Sequence, residues 1–324
     1  MTVSVLDKNG SNIIYPISRL YNKLSSELTS LTKLFLMDLP NVTGTIPSSI
    51  GKLTQITQLW ISNTNISGPI PNFLAQLTEL NGLSLCNKHT GPIPQFIGKF
   101  KNLVLLFLSS NKLSGPIPIF LTQLKELAFL DLSDNKLTGP IPLGLAQLTK
   151  LNNLKLGSNA LSGPIPNFLG QYPSLTTLSL SHNQLSGPIP TSLGRAKITF
   201  LELNHNKLTG DASFLFDKEN LGPGEIHINN NFLKFEFSNV EMPPLLWSFN
   251  ISHNMIYGSL PKWLGEFRPP MGYSKSSMTS MFSYTFDVSY NQLCGPIPNG
   301  QLFRDASIFA HNKCLCVGPL SACK

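Results

Sequence analysis

Leu127-Ala128-Phe129-Leu130-Asp131-Leu132-Ser133-Asp134-Asn135-Lys136-Leu137-Thr138-Gly139-Pro140-Ile141-Pro142 holds the pattern from which the fold can be read. Leu130 and Leu132 are two residues apart, so a strand turns both to one side and leaves Phe129, Asp131 and Ser133 on the other. Asn135 carries a short amide that suits backbone groups freed by a bend. Leu137 returns inward, Gly139 permits a turn that a side chain would obstruct, and Ile141 points inward between two prolines that cannot donate to a ladder. Leu145 and Leu148 then close the coil on a short helical turn. Gly-Pro-Ile-Pro recurs at Gly68, Gly91, Gly115, Gly139, Gly163, Gly187 and Gly295, and from Gly91 to Gly187 the step is 24 residues (91, 115, 139, 163, 187). A fixed period of this size predicts a solenoid. One coil cannot bury its apolar side alone, but stacked neighbours can.

Counted outward from that stretch, repeats begin near Leu31, Ile56, Leu80, Leu103, Leu127, Leu151, Leu175, Ile198, Pro223, Leu246 and Ser283. The expected architecture is an α/β solenoid: about ten or eleven repeats wound into a superhelix with a concave parallel β-sheet. Residues 1–30 read as a degenerate first repeat led by Val3 and Val5, with no N-terminal cap and hence an open coil edge. Residues 31–293 read as the solenoid, with an insertion at 268–283, and 294–324 as the last repeat end and a cap. Cys294, Cys314, Cys316 and Cys323 crowd the end, and Cys86 stands alone. Cys314-Leu315-Cys316 is too tight for zinc-ligand spacing, so a disulfide-stapled cap in an oxidising compartment is expected. Sequons at Asn9, Asn41, Asn65 and Asn250 agree with secretion.

The chain has 324 residues, a formal net charge of +7 and only 13% charged residues. The lysines are dispersed and no aromatic–basic cluster marks nucleic acid as a partner, so an acidic protein or polysaccharide fits the charge better. No run is long and apolar enough for a membrane helix. No nucleophile elbow, phosphate loop or paired-acid motif suggests an enzyme, and no cofactor or metal is expected.

The outward strand positions carry what the scaffold does not need. Along the concave face these are Trp60, Phe107, Phe129, Asp131, Lys155, Ser179, His182, Glu202, His205, Glu225, His227 and His253, with Asp287 and Tyr290 beyond them. Aromatics interleaved with charge are the composition of a protein interface. His182, His205 and His253 share a register just before the conserved-spacing Asn, and strand spacing brings His182 near His205. Lys88, Lys112, Lys136 and Lys207 form a column directly after that Asn, either a solvated edge or a flank for a polyanion such as pectin. In the Leu80 repeat one residue is missing, and His89 stands where Leu113 and Leu137 stand in the next coils. The expected outcome is a local distortion that turns His89 to solvent, rather than a site with Cys86. The Phe residues after Gly210 are expected to fill the core where prolines no longer shape the coil.

The pattern L-x-x-L-x-L-x-x-N-x-L-(S/T)-G-x-I-P resembles the plant-specific class of extracellular leucine-rich repeats. The end is more specific. Val288-Ser289-Tyr290-Asn291-Gln292-Leu293-Cys294-Gly295, His311-Asn312-Lys313-Cys314-Leu315-Cys316 and Pro319-Leu320-Ser321-Ala322-Cys323-Lys324 are similar to the C-terminal cap of polygalacturonase-inhibiting proteins. Leu39-Pro40-Asn41-Val42-Thr43-Gly44 and the segment from Gly210 to Phe216 share the likeness. The resemblance implies disulfides Cys294–Cys314 and Cys316–Cys323. It also implies a cell-wall protein that binds and inhibits fungal or insect polygalacturonases through its concave face; a secreted, monomeric glycoprotein is expected, with pectin as a further partner along the lysine column. Two rivals follow from the same pattern: a receptor-like recognition domain, and an ice-binding protein using an array such as Asn152, Asn153, Thr176, Thr177 and Thr199.

Overall fold

The computed structural model describes residues 2–7, 12–16, 30–219, 223–267, 285–299, 305–316 and 320. The insertion at 268–283, Asn9 and Cys323 lie outside the described residues. The chain divides into two compact units, Met1–Leu161 and Ser162–Lys324.

In the first unit, strands Leu31–Gly44, Gln58–Pro69, Gly82–Ser84, Leu105–Phe107, Phe129–Asp131 and Asn153–Lys155 pair in parallel, one per coil. The register is uninterrupted: Lys33, Gln58, Gly82, Leu105, Phe129 and Asn153 are successive partners. A second narrow parallel ladder that the repeat pattern did not predict runs through Lys88–Gly91, Lys112–Pro116 and Lys136–Gly139. The remaining side consists of 3-10 turns such as Ile119–Gln123 and Leu143–Gln147. No α-helix occurs among the described residues; a five-residue return segment is too short for one. Ahead of the first coil, Thr2–Asp7 pairs antiparallel with Asn12–Pro16 and with Leu31–Gly44. That pairing covers the edge that a parallel repeat would have left open.

The second unit repeats the plan. Thr177–Ser179, Phe200–Glu202, Glu225–His227, Ser248–Asn250 and Phe286–Asp287 form its main parallel sheet. At its end Gln292–Pro296 pairs with Cys314–Cys316, and Cys294 is bonded to Cys314. This closes a 20-residue separation, a loop for which chain entropy predicts about 3 kcal/mol of stabilisation. Cys316 is also disulfide-bonded.

Each coil contributes fully buried aliphatics at the predicted positions. In the first unit Leu127, Leu132, Leu137, Leu145 and Leu148 are all 0% exposed. The Asn ladder is the polar counterpart. Asn135 Oδ1 accepts from Leu113 N–H, while its amide donates to the carbonyls of Leu108 and Leu132. Asn206 and Asn231 do the same in the second unit. Asn87 and Asn312 belong to this series as well. The residue before the ladder Asn takes a left-handed conformation in coil after coil, as at Asp134 (φ 52) and His205 (φ 54).

The short Leu80 repeat lacks that left-handed residue, since no non-glycine residue between Asn63 and Ser110 has positive φ. The neighbouring coil compensates: Asn111 Oδ1 accepts from both Asn87 N–H and His89 N–H. The strand after the deletion therefore keeps its register, and His89 is not turned to solvent. It is 0% exposed, in the slot that Leu113 and Leu137 fill. Its Nδ1 lies 3.1 Å from the Gly68 carbonyl, and Nε2 is buried without a partner. Burial lowers its pKa, opposed by the Gly68 bond. Of the Phe residues after Gly210, Phe216, Phe235 and Phe237 fill the core as expected, whereas Phe214 is half-buried and Phe232, in an outward position, is 54% exposed.

Candidate functional site

The strands leave two columns of side chains on the solvent side of each sheet. In the first unit one column runs Phe35, Trp60, Ser84, Phe107, Asp131, Lys155. Phe35 meets Trp60 edge-on with centroids 5.6 Å apart, and Trp60 meets Phe107 at 6.2 Å. Trp60 and Phe107 are two coils apart, so their rings lean over the intervening coil. That coil supplies Gly82 and Ser84, both buried, and a Cβ at Gly82 would touch the Trp60 indole nitrogen at 3.5 Å. Trp60 Nε1 is buried with no partner. The roof is a preorganised apolar surface, since interlocked rings lose little freedom on contact with a partner. Phe129 continues it in the adjacent column, and Asp131 and Lys155 follow as its charged border. Asp131 Oδ1 is held by the amide and hydroxyl of Ser133, at 3.0 and 2.6 Å. Cys86 lies on this side too, its Sγ 3.4 Å from Ser109 Oγ.

In the second unit the corresponding column is Ser179, Glu202, His227, Asn250, Asp287, flanked by Thr177, Phe200, Glu225 and Ser248. Glu225 Oε1 and His227 Nε2 are 3.1 Å apart, and the same Nε2 lies 2.9 Å from Thr285 Oγ1. Burial, then the charge of Glu202, pushes the Glu225 carboxyl up to about 7. Burial lowers His227, with Glu202 acting in the opposite sense. The geometry alone suggests an ion pair, but burial disfavours charge on both partners. Burial thus favours a neutral carboxyl–imidazole contact over an ion pair. Phe200 packs edge-on against Trp247 beside this cluster, at 6.2 Å.

The histidines expected on the strand face stand apart from it. His182, His205 and His253 occupy the left-handed turn beyond each strand, where they form an exposed ring column with Tyr290 and His311. His182 stacks on His205 at 4.1 Å, and His253, Tyr290 and His311 stack at 4.1 Å per step. Asn230 occupies the same turn position in the intervening coil, with Nδ2 3.4 Å from His205 Nε2. Parallel stacking keeps the ring nitrogens side by side instead of converging them on a point, and no group of three or more metal-ligating side chains occurs among the described residues. The His205 pKa is lowered by burial and by its neighbours His182 and His253.

Ser179 is only 7% exposed, because its short side chain does not rise above the longer Glu202 beside it. The lysine column is exposed at Lys88, Lys112 and Lys136 in the first unit and at Lys207 in the second. Asn41 is exposed, Asn65 is half-buried with its amide on the Pro40 carbonyl, and Asn250 stands in the outward column beside His227. A glycan on Asn250 would lie over that column. Phe35, Phe200, Trp247 and His311 escaped the sequence reading. Phe35 and Phe200 occupy the same outward slots as Trp60 and Phe129, so the repeat register alone was enough to find them.

The Leucine Rich Repeat family profile matches residues 55–77, 102–124, 126–148 and 174–196. Polygalacturonase inhibitor 1 of Arabidopsis thaliana is 43% identical over 127 residues, 38% of this chain and 34% of that protein. The polygalacturonase inhibitor of Pyrus communis is 44% identical over 128 residues, 39% and 34% of the two chains. The matched region thus spans about a third of the length of these curated relatives. Among solved structures, a plant ice-binding protein aligns at 34% identity and TM-score 0.64 over 91% of this chain and 84% of its own. The ectodomain of the Arabidopsis thaliana receptor kinase GASSHO1/SCHENGEN3 aligns at 29% identity and TM-score 0.79 over 91% of this chain and 34% of its own. With its coil register, Asn ladder and cysteine-bonded end, the chain is a leucine-rich repeat solenoid that is similar, over about a third of their length, to plant polygalacturonase inhibitors.

Proposed function

We propose that the protein is a secreted cell-wall defence protein that binds polygalacturonases and inhibits them without cleaving anything. The observation that carries this is the outward sheet face, where an interlocked aromatic roof and bordering charges replace the neutral polar residues that a merely soluble surface needs. The relatives named as polygalacturonase inhibitors supply the class of partner. In this reading Trp60, Phe107 and Phe129 are the apolar anchors, and Asp131, Lys155, Glu202, Glu225 and His227 set specificity. The ring column of His182, His205 and His253 borders the face, and the exposed lysines Lys88, Lys112, Lys136 and Lys207 offer a flank to pectin. No helix among the described residues is long and apolar enough to cross a membrane.

The test is inhibition of a panel of fungal and insect polygalacturonases at mildly acidic pH. Wild type should inhibit at least one, and Trp60→Ala should weaken that inhibition by about thirtyfold, the loss of a central aromatic anchor. Failure of the folded protein against every enzyme of the panel rejects the proposal. The ice-binding structure at 34% identity over 91% of the chain supports a second reading. Thermal hysteresis in purified protein, together with absent inhibition, would establish that reading instead.

A further inference from the structure

The repeat rule fails most sharply between Gly210 and Glu241, on the side of the second unit away from its outward strand columns. In the preceding coil Ile189, between two prolines, fills the inward slot after Gly187 (φ +80). The next coil places Ala212 in that slot, and the one after it places Phe237 there; both are 0% exposed. Where Gly187 and Gly210 turn left-handed, the third coil has Phe235, which does not. A phenylalanine cannot follow that turn without strain, so its backbone takes a different path. Between these coils lies a cavity of about 460 Å³. A second, of about 870 Å³, adjoins it through shared walls at Phe214 and Asp217.

The lining of the smaller cavity is predominantly acidic. Asp211, Asp217, Glu236 and Glu241 face it against a single lysine, Lys234, in a chain whose net charge is +7. Only part of this negative charge is used internally. Asp211 and Asp217 each commit one oxygen to a backbone amide, of Ser213 and Glu219, and Glu241 is paired with Lys218 at 2.8 Å. Phe214 and Tyr257 supply aromatic faces to the same cavity. Carboxylates beside aromatic rings are the surroundings that attract a guanidinium or ammonium group. The larger cavity sets Arg195 and Lys197 against Asp217 and Glu219, so the acidic character belongs to the smaller cavity.

We propose that this smaller cavity is a second binding site, which takes an arginine- or lysine-bearing polypeptide segment. The site does not rest on the inhibitor reading and uses none of the outward strand residues. Its test is fluorescence anisotropy with a labelled peptide of alternating Arg and Leu, the same peptide with Glu for Arg, and a neutral cello-oligosaccharide as competitor. The Arg peptide should bind saturably, and the Glu peptide should not. The double variant Asp217→Asn, Glu236→Gln should weaken binding about tenfold, as should Phe214→Ala. The charge variant removes only exposed carboxylates, and circular dichroism with the urea midpoint verifies that it is folded. Absence of saturable binding, equal binding by wild type and the charge variant, or displacement by the neutral sugar overturns the proposal.

Discussion

Replacing the buried imidazole of the short coil should make the protein more stable, and increasingly so as the solution is acidified. His89 fills a leucine slot with Nε2 unpartnered. An unpartnered buried polar atom costs about 1–3 kcal/mol. His89→Leu removes that cost and adds apolar burial of about 1 kcal/mol, against loss of the Nδ1 contact to Gly68, about 1 kcal/mol. The net expectation at neutral pH is a gain of about 1–3 kcal/mol. The pH dependence follows from the lowered folded-state pKa. A histidine held neutral by the fold contributes its full stability above its unfolded pKa, near 6.5. That contribution is lost as the pH falls from there toward the folded value, at up to about 1.4 kcal/mol per pH unit. The leucine variant has no such loss. Urea unfolding at about pH 8, 6.5 and 5, followed by tryptophan fluorescence, should show the gap between variant and wild type widening below about 6.5. A variant no more stable than wild type at neutral pH, or a gap that stays constant on acidification, would refute the reasoning.

Glu225→Gln should behave with the opposite sign. The folded pKa of Glu225 is raised from 4.5 to about 7, so wild type is favoured below the unfolded value and loses up to about 3 kcal/mol as the pH rises through about 7; urea midpoints should match at about pH 4.5 and favour the variant at about pH 8. Asn206→Ala deletes an 8%-exposed amide that bonds Leu180, Leu203 and Leu185, and should cost about 2–4 kcal/mol in thermal unfolding; a loss below about 1 kcal/mol would show that water replaces the ladder. Gly170→Ala brings a Cβ to 2.3 Å from the Ser192 carbonyl carbon, and should destabilise by about 2 kcal/mol or more. An unchanged melting temperature would show that the two turns can part.

The scaffold was legible because each of its features recurs. Leucines two apart, an asparagine three residues after the second, and a glycine before the Pro-Ile-Pro segment are each read many times over, so chance resemblance averages out. Single events were harder. The missing residue before Asn87 looked like a distortion that would expel His89. The sequence could not show that the Asn111 side chain would take over the freed amides and hold the register. The second parallel ladder was hidden by the prolines that interrupt donation within it, and the antiparallel start by the absence of any period in residues 1–30. The stacked rings of His182 and His205 were legible as neighbours, but not as occupants of a turn beyond the strand.

The outward residues were visible, but their chemistry was not, because register gives adjacency without depth. Glu225 and His227 read as two charged side chains on an open face. Their side chains are in fact only 14% and 20% exposed, and burial disfavours charge on both. Trp60 and Phe107 read as separate outward aromatics, yet two small residues, Gly82 and Ser84, let Trp60 lean across a coil and meet Phe107. In both places the decisive quantity is the size of the neighbour one coil away, since a parallel ladder holds side chains close enough to shade one another. The repeat therefore does more than support the face. By fixing which residues are adjacent, it lets a glycine or serine in one coil determine whether an aromatic or acidic residue in the next coil stands in water or under cover. On this argument, changes at Gly82 and Ser84 will alter recognition as much as changes at Trp60 itself, although neither small residue reaches a partner.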